Sequence, residues 1–251
     1  MRLTDSHAHL FMEPLGGSVD AVLRRASSAG VTRLVVPAYD HDSWSPVSAL
    51  AERPGVSVAL GVHPWAAGEG LDPADLAKAL RDCGAVAVGE VGLDSKVDVP
   101  AELQETVLAG QLELAREMDL PVILHCRGAC HRLISIVGGF GGSLRGVFHA
   151  FSRGPQLAAR LVELGLYLGV GGAATRPRAR RIRRSLPKIP RERLLLETDS
   201  PSMGLDGVPA GESEPAHARE VCLAAAGILG INPEELAETT WRNADELFGL
   251  A

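Results

Sequence analysis

Aromatic residues are scarce: five Phe, three Trp and two Tyr make up 4% of the chain. That scarcity excludes an extended platform on which successive nucleic-acid bases stack. Cysteine is scarce too. Cys83, Cys126, Cys130 and Cys222 follow no secreted spacing pattern, which excludes a disulfide scaffold and makes reduced thiols the expectation. Cys126, Cys130 and His131 have no second Cys or His pair at finger spacing, so incidental thiols are favoured over a zinc site. No apolar run approaches the roughly 18 residues of a membrane helix. Met1-Arg2-Leu3-Thr4-Asp5 lacks the apolar stretch of a signal peptide. The expectation is a cytoplasmic protein with no membrane partner. Repeats, internal linkers and low-complexity tracts are also missing, and a 46% hydrophobic, 22% charged composition excludes disorder and collagen.

Positive charge is in short supply, with 25 Lys and Arg against 31 Asp and Glu for a formal charge of −6. A uniformly basic, polyanion-coating surface is therefore excluded. The shortage is uneven. Residues 176–193 hold nine basic residues and one acidic residue, leaving the remainder of the chain at −14.

What is present is an alternation of short aliphatic runs with longer amphipathic stretches. Strands are predicted at Leu3–Asp5, Leu34–Pro37, Val56–His63, Val86–Gly89, Val122–His125, Gly146–His149, Tyr167–Gly171 and Leu194–Thr198. Helical spacing marks Val19–Ala29, Pro73–Asp82, Glu102–Asp119 and Gln156–Leu164, with final helices near Glu214–Leu229 and Pro233–Phe248. Asp72-Pro73 starts one of these, and Gly30 and Gly165 stop two others. Strands apolar on both faces and separated by helices indicate a buried parallel sheet. At roughly 150 residues per domain, 251 residues give about 1.7 domains. Eight strand–helix units in that length predict instead one α/β domain over residues 1–251, a (β/α)8 TIM barrel. The competing fold, an open doubly wound sheet, needs a Gly-rich turn after its first strand, where this chain has Ser6-His7-Ala8-His9.

Side chains able to hold metal collect at the predicted strand ends. They lie in Asp5-Ser6-His7-Ala8-His9, Gly89-Glu90-Val91-Gly92-Leu93-Asp94, His125-Cys126-Arg127, His149-Ala150-Phe151-Ser152 and Glu197-Thr198-Asp199-Ser200-Pro201. In a parallel barrel those ends share one face, so residues nearly 200 apart converge. His7 and His9 point the same way in extended chain and are suited to one ion together with Asp199. Glu90 has two oxygens to bridge two ions, and His125 and His149 offer imidazoles to the second. A histidine at one strand end is ordinarily a hydrogen-bonded core or surface residue. Six candidate ligands at five ends are hard to obtain by accident. His63, in Gly61-Val62-His63-Pro64, is assigned to the pocket, and His41, His131 and His217 to ordinary surface or helix positions.

These motifs, together with Pro121-Val122-Ile123-Leu124-His125 and Asn243-Ala244, resemble the TatD family of metal-dependent deoxyribonucleases within the amidohydrolase superfamily. The match runs nearly end to end. Gly169-Val170-Gly171-Gly172 and Arg176-Pro177-Arg178-Ala179 resemble the branch containing the YjjV-type hydrolases. The resemblance implies one ion on His7, His9, Glu90 and Asp199, and another on Glu90, His125 and His149. It further implies that Asp199 orients or deprotonates the attacking water, and that His63 and Arg127 lie beside the scissile phosphate. Two departures touch the substrate side. Ser95-Lys96 follows Gly-Leu-Asp where an aromatic is common, and Ser213-Glu214-Pro215 replaces Asn-Glu-Pro. No strand-end lysine is available for carboxylation, so Glu90 takes the bridging position, unlike in phosphotriesterase-like enzymes.

The expected function is hydrolysis of DNA phosphodiester bonds, 3'-5' exonuclease-like, by a hydroxide activated between two divalent ions. Mg, Mn, Zn, Co and Ni are not distinguished by these donors. Trp65 is the candidate for stacking on a base. Residues 176–184 are expected to form an outer helix with Arg176, Arg180 and Arg184 on one stripe, read either as a solvated face or as a nucleic-acid contact near Thr175–Arg178. The rival readings are a metal-dependent hydrolase of a small phosphate ester or amide C–N bond, and a metal-binding scaffold without catalysis. A monomer is expected.

Overall fold

The computed structural model describes residues 1–250. Eight strands follow one another in sequence order around a single parallel sheet. They are β1 (Leu3–Asp5), β2 (Val31–Pro37), β3 (Val56–Leu60), β4 (Ala87–Asp94), β5 (Val122–Arg127), β6 (Gly146–Phe148), β7 (Tyr167–Val170) and β8 (Leu194–Leu196). Helices α1 (Val19–Ser28), α2 (His41–Leu50), α3 (Pro73–Cys83), α4 (Ala101–Glu117), α5 (Cys130–Gly138), α6 (Pro155–Glu163) and α7 (Arg180–Ser185) lie between them, and α8 (Ala218–Leu229) and α9 (Pro233–Phe248) follow β8. The last strand returns to the first. Ser6 N–H donates to Leu196 O at 2.9 Å, Asp199 N–H to His7 O at 2.8 Å, and His9 N–H to Ser200 O at 2.7 Å, while Ala8 and Ser200 form a parallel bridge. The architecture is the (β/α)8 barrel that the alternation predicts.

Alternation along each strand separates two cores. Val35, Ala59, Ala87, Ile123, Val147, Tyr167 and Leu195, one from each of seven successive strands, cluster with Ala244, Leu247 and Phe248 of α9. Their strand neighbours Leu34, Val36, Val58, Leu60, Val88, Val122, Leu124, Phe148, Leu168, Leu194 and Leu196 belong to a larger cluster shared with the helices. The smaller cluster fills the barrel and α9 closes its amino end.

The structure moves several predicted boundaries. β4 continues through Asp94, so Glu90 lies inside a strand rather than after one, whereas Gly61–His63, His149 and Glu197–Asp199 lie just beyond theirs. Residues 176–184 are not one helix. Pro177 disfavours the helical conformation for Arg176, whose backbone is extended (φ −79°, ψ 120°). Helix α7 starts only at Arg180 and buries Ile182 and Ser185, so the expected stripe of Arg176, Arg180 and Arg184 does not form. α2 carries Pro46 internally and starts on a capping box between Asp40 and Ser43, a local signal that hydrophobic spacing alone does not reveal. Among the described residues no helix is long and apolar enough to cross a membrane.

Candidate metal centre

Stepping two residues along a strand keeps a side chain on the same face, which carries the barrel interior from apolar to polar. From the apolar layer, Ile123 leads to His125, Val147 to His149 and Leu195 to Glu197. Simple alternation from Ala87 would turn Glu90 outward. The pairing register of β4 against β5 shifts between Val88 and Val91, and Glu90 faces inward with 4% of its surface exposed. Asp199 sits in left-handed backbone (φ 52°), held there by its N–H bond to His7 O.

Glu90 is the hub, and its two oxygens face different partners. Oε2 lies 3.3 Å from His7 Nε2 and 3.5 Å from His9 Nε2. Oε1 lies 2.8 Å from both His125 Nδ1 and His149 Nε2. Asp199 Oδ1 joins the first pair, at 3.4 Å from His9 Nε2 and 3.7 Å from His7 Nε2. All six strand-end residues singled out by sequence therefore meet at the carboxyl end of the barrel.

The donor chemistry fits cations. His9 Nδ1–H is directed at Pro37 O, 3.1 Å away, which leaves the Nε2 lone pair facing the centre. His7 Nε2 lies 3.2 Å from His9 Nε2, and His125 Nδ1 lies 3.2 Å from His149 Nε2. Imidazole nitrogens paired so closely around two carboxylates need protons or metal ions between them. His7–His9–Glu90, His7–His149–Asp199 and His63–Glu90–His125 each bring three ligand atoms within 4.8 Å of one another.

His63 stands closer to this centre than a pocket role requires, with Nε2 3.7 Å from Glu90 Oε1. Its Nδ1 accepts from Trp65 N–H at 3.2 Å, so the neutral ring carries its proton on Nε2. Burial pushes its pKa down to about 3. It faces the centre as a neutral hydrogen-bond donor rather than as a lone pair. Trp65 is 48% exposed on the turn after His63, its ring 4.1 Å from His63 and 5.1 Å from Tyr39. Arg127 is exposed at the end of β5, its Cα paired in register with that of Asp94. These three lie outside the cluster of six, His63 at its edge and Trp65 and Arg127 toward solvent.

Charge within the cluster is divided. Burial opposes ionisation of Glu90, yet His149, His7 and His125 hold its carboxyl well below the ordinary range. Burial acts likewise on Asp199, and the hydrogen bond from His9 with the nearby histidines keeps its pKa low. Burial and His149 lower His7 to about 4, whereas for His149 burial is outweighed by Glu90 and the pKa rises to about 10. Both acidic side chains are thus held as carboxylates.

A second layer escaped the strand-end reading. Glu197 is fully buried, accepts from Ala150 N–H, and has Oε1 3.8 Å from His149 Nδ1. Burial raises its pKa to about 8. A Cβ on Gly169 would come 2.0 Å from Glu197 Oε2, so the glycine makes room for this carboxyl. Asp94 Oδ2 faces His125 Nε2 at 3.5 Å. Buried Asp5 accepts from Thr198 Oγ1 at 2.6 Å and Thr198 N–H at 3.0 Å, tying β1 to the segment that delivers Asp199. Asp5, Asp94 and Glu197 all sit within the motifs already quoted. Their signal is a carboxyl two residues from a candidate ligand for Asp5 and Glu197, and four for Asp94.

Comparison with known proteins agrees with this geometry. Residues 4–249 match the model of the family described as TatD related DNase. A metal-dependent hydrolase of Escherichia coli K12, YjjV, is 38% identical over 99% of this chain and 98% of its own. A protein of Citrobacter rodentium named 3'-5' ssDNA/RNA exonuclease TatD is 34% identical over 92% of each chain. The crystal structure of the E. coli YjjV protein superimposes with a TM-score of 0.93, covering 100% of this chain and 99% of that one. An amidohydrolase from Saccharomyces cerevisiae, 18% identical, shares the fold at a TM-score of 0.82 over 99% of this chain and 100% of that one. With a matching barrel, an inward set of histidines and carboxylates, and relatives similar along their whole length, the chain belongs to the TatD family of metal-dependent hydrolases.

Proposed function

We propose that this protein hydrolyses phosphodiester bonds at the end of single-stranded DNA, as a 3'-5' exonuclease, using two divalent cations. The observation that carries the reading is the partition of Glu90. One oxygen faces His7 and His9, which Asp199 completes, and the other faces His125 and His149. The first set would hold one cation and the second the other. Bound there, the ions would lower the pKa of water and neutralise charge developing on phosphate.

The chain's own residues supply the rest. Asp199, held as a carboxylate, takes a proton from the attacking water. The water oxygen attacks phosphorus, the bond to the leaving sugar oxygen breaks with its electron pair staying on that oxygen, and the oxygen takes a proton from solvent. His63 Nε2–H, neutral in its buried position, donates a hydrogen bond toward a non-bridging phosphate oxygen. Arg127 meets the phosphate from the solvent side, and Trp65 offers an exposed ring to the terminal base.

The arginines after β7 fit a polyanionic substrate. Arg178, Arg180, Arg181, Arg183 and Arg184 are exposed and form no ion pair among the described residues. Exposed arginines without an ion pair elsewhere, such as Arg24, Arg81 and Arg219, stand singly, whereas these five fall within seven residues. Arg2, Arg25, Arg33, Arg132 and Arg145 are matched with Glu238, Glu214, Asp245, Glu105 and Asp119. The name of the Citrobacter relative points to the same substrate class.

The test is purified protein with end-labelled single-stranded DNA and RNA in Mg, Mn, Co and Zn in turn, beside a panel of phosphate monoesters and amides. Shortening of DNA from its 3' end supports the proposal. Turnover confined to the panel would replace it with a small-molecule hydrolase, and no turnover of any substrate with any metal would leave the scaffold reading.

A further inference from the structure

Two of the four cysteines meet beside the candidate metal centre, and neither takes part in the proposed hydrolysis. Cys126 is on β5 between His125 and Arg127, and Cys130 is the first residue of α5. Their Sγ atoms lie 3.1 Å apart, with Cys126 donating to Cys130. The turn joining them bends back through Gly128 (φ 81°), where a Cβ would strike the Ser95 side chain at 2.0 Å. Among the described residues no group of three metal-ligand atoms includes either sulfur. The contact is therefore a pair of thiols rather than part of a metal cluster.

The pair is reachable. Both cysteines are partly exposed, and Cys130 lines a cavity of about 490 Å³ with His131, Ile134, Arg153 and Leu157, between α5 and α6. Arg153 forms no ion pair among the described residues and gives the cavity a positive charge toward a carboxylate-bearing ligand. We propose that Cys126 and Cys130 are a redox dithiol, closed to an intramolecular disulfide by a small peptide disulfide of the glutathione type that enters through this cavity.

The order of attack follows from position. Cys130 stands at a helix N-terminus facing the cavity, where its thiolate is stabilised. The hydrogen bond from Cys126, together with the charge of Arg153, lowers its pKa against burial. Its thiolate attacks one sulfur of the oxidised peptide, forming a mixed disulfide and releasing one peptide thiolate. Cys126 then loses its proton, and its sulfur attacks the Cys130 sulfur and expels the second peptide thiolate. Two protein thiols are oxidised, one peptide disulfide is reduced, and the two protons end on the two released thiols. Catalytic or redox-sensing disulfides of this transient kind are compatible with a reducing compartment.

The experiment reads thiols rather than turnover, so its outcome is independent of the proposed nuclease activity. Reduced full-length protein is incubated with oxidised glutathione, acid-quenched, alkylated, digested with trypsin and analysed by mass spectrometry. Arg127 lies between the cysteines, so trypsin places them on separate peptides, 117–127 and 128–132. The expected product links those two peptides, with Cys83 and Cys222 alkylated. In Cys126→Ser, glutathione should remain on peptide 128–132. In Cys130→Ser, Cys126 should remain alkylated. Either of two results for the wild-type protein overturns the proposal: both cysteines still alkylated, or glutathione retained on peptide 128–132 at the level found in Cys126→Ser.

Discussion

The two ends of the barrel interior are built from the same strands, two residues apart, and obey opposite rules. At the amino end Ile123, Val147 and Leu195 pack on Phe248 and Leu247 of α9. At the carboxyl end His125, His149 and Glu197 surround Glu90 with imidazole and carboxylate. The lower layer gains free energy from apolar surface removed from water. The upper layer gains little of that apolar term, and its buried imidazoles and carboxylates offset the cost of leaving water by pairing with one another. A single strand step therefore separates an apolar packing residue from a polar residue of the candidate metal centre.

That contrast is broken most severely by paired substitutions, one at each end. Asp199→Asn should lower kcat about 10²- to 10⁴-fold through loss of the proton acceptor, measured on labelled DNA, while thermal unfolding of the metal-free protein stays near wild type. Phe248→Ala should cost about 3–5 kcal/mol in stability, read by denaturant unfolding, with metal per folded chain unchanged. An Asp199→Asn protein that unfolds early, or a Phe248→Ala protein that stays folded but loses metal, would mean the ends are not independent. Next in size, Glu197→Ala should weaken metal affinity about 10- to 100-fold, measured by chelator competition. Glu197→Gln should recover part of that loss, because an amide oxygen still accepts from Ala150 N–H. The smallest effect belongs outside the barrel. Replacing Arg178 or Arg181 by Ala should flatten the logarithmic salt dependence of single-strand binding by about 0.7 per arginine, with kcat at saturating substrate unchanged.

The apolar layer and the candidate ligands were legible in the sequence for one reason: both follow a period of two along a buried strand. His7 with His9 and His125 with His149 could be placed at strand ends from their aliphatic predecessors alone. Glu90 was legible by type but not by position, since a register shift inside β4 has no signature in residue identity. The arginine segment misled for a related reason. Its charge was plain, but Pro177 breaks the helix that the spacing of Arg176, Arg180 and Arg184 predicts. Asp5, Asp94 and Glu197 were hidden because a carboxyl beside a ligand is identified by what it touches, and those contacts join strands distant in sequence. The Cys126–Cys130 contact was hidden likewise, as four-residue spacing across a turn does not reveal that two sulfurs meet.

Closure of β8 on β1 has a consequence for how the molecule comes into being. The residues that would hold the first cation run from His7 to Asp199, so one donor is synthesised long before the other. The hydrogen bond from Asp199 N–H to His7 O closes the cylinder and sets the final carboxylate beside the first histidines. A nascent chain that has not reached β8 has neither the closed ring nor the full ligand set. Contacts of such sequence separation form slowly because they must overcome the entropy of a long loop. Assembly of the complete candidate metal centre is thereby coupled to completion of the barrel, and a partly made chain lacks the carboxylate proposed to accept the proton.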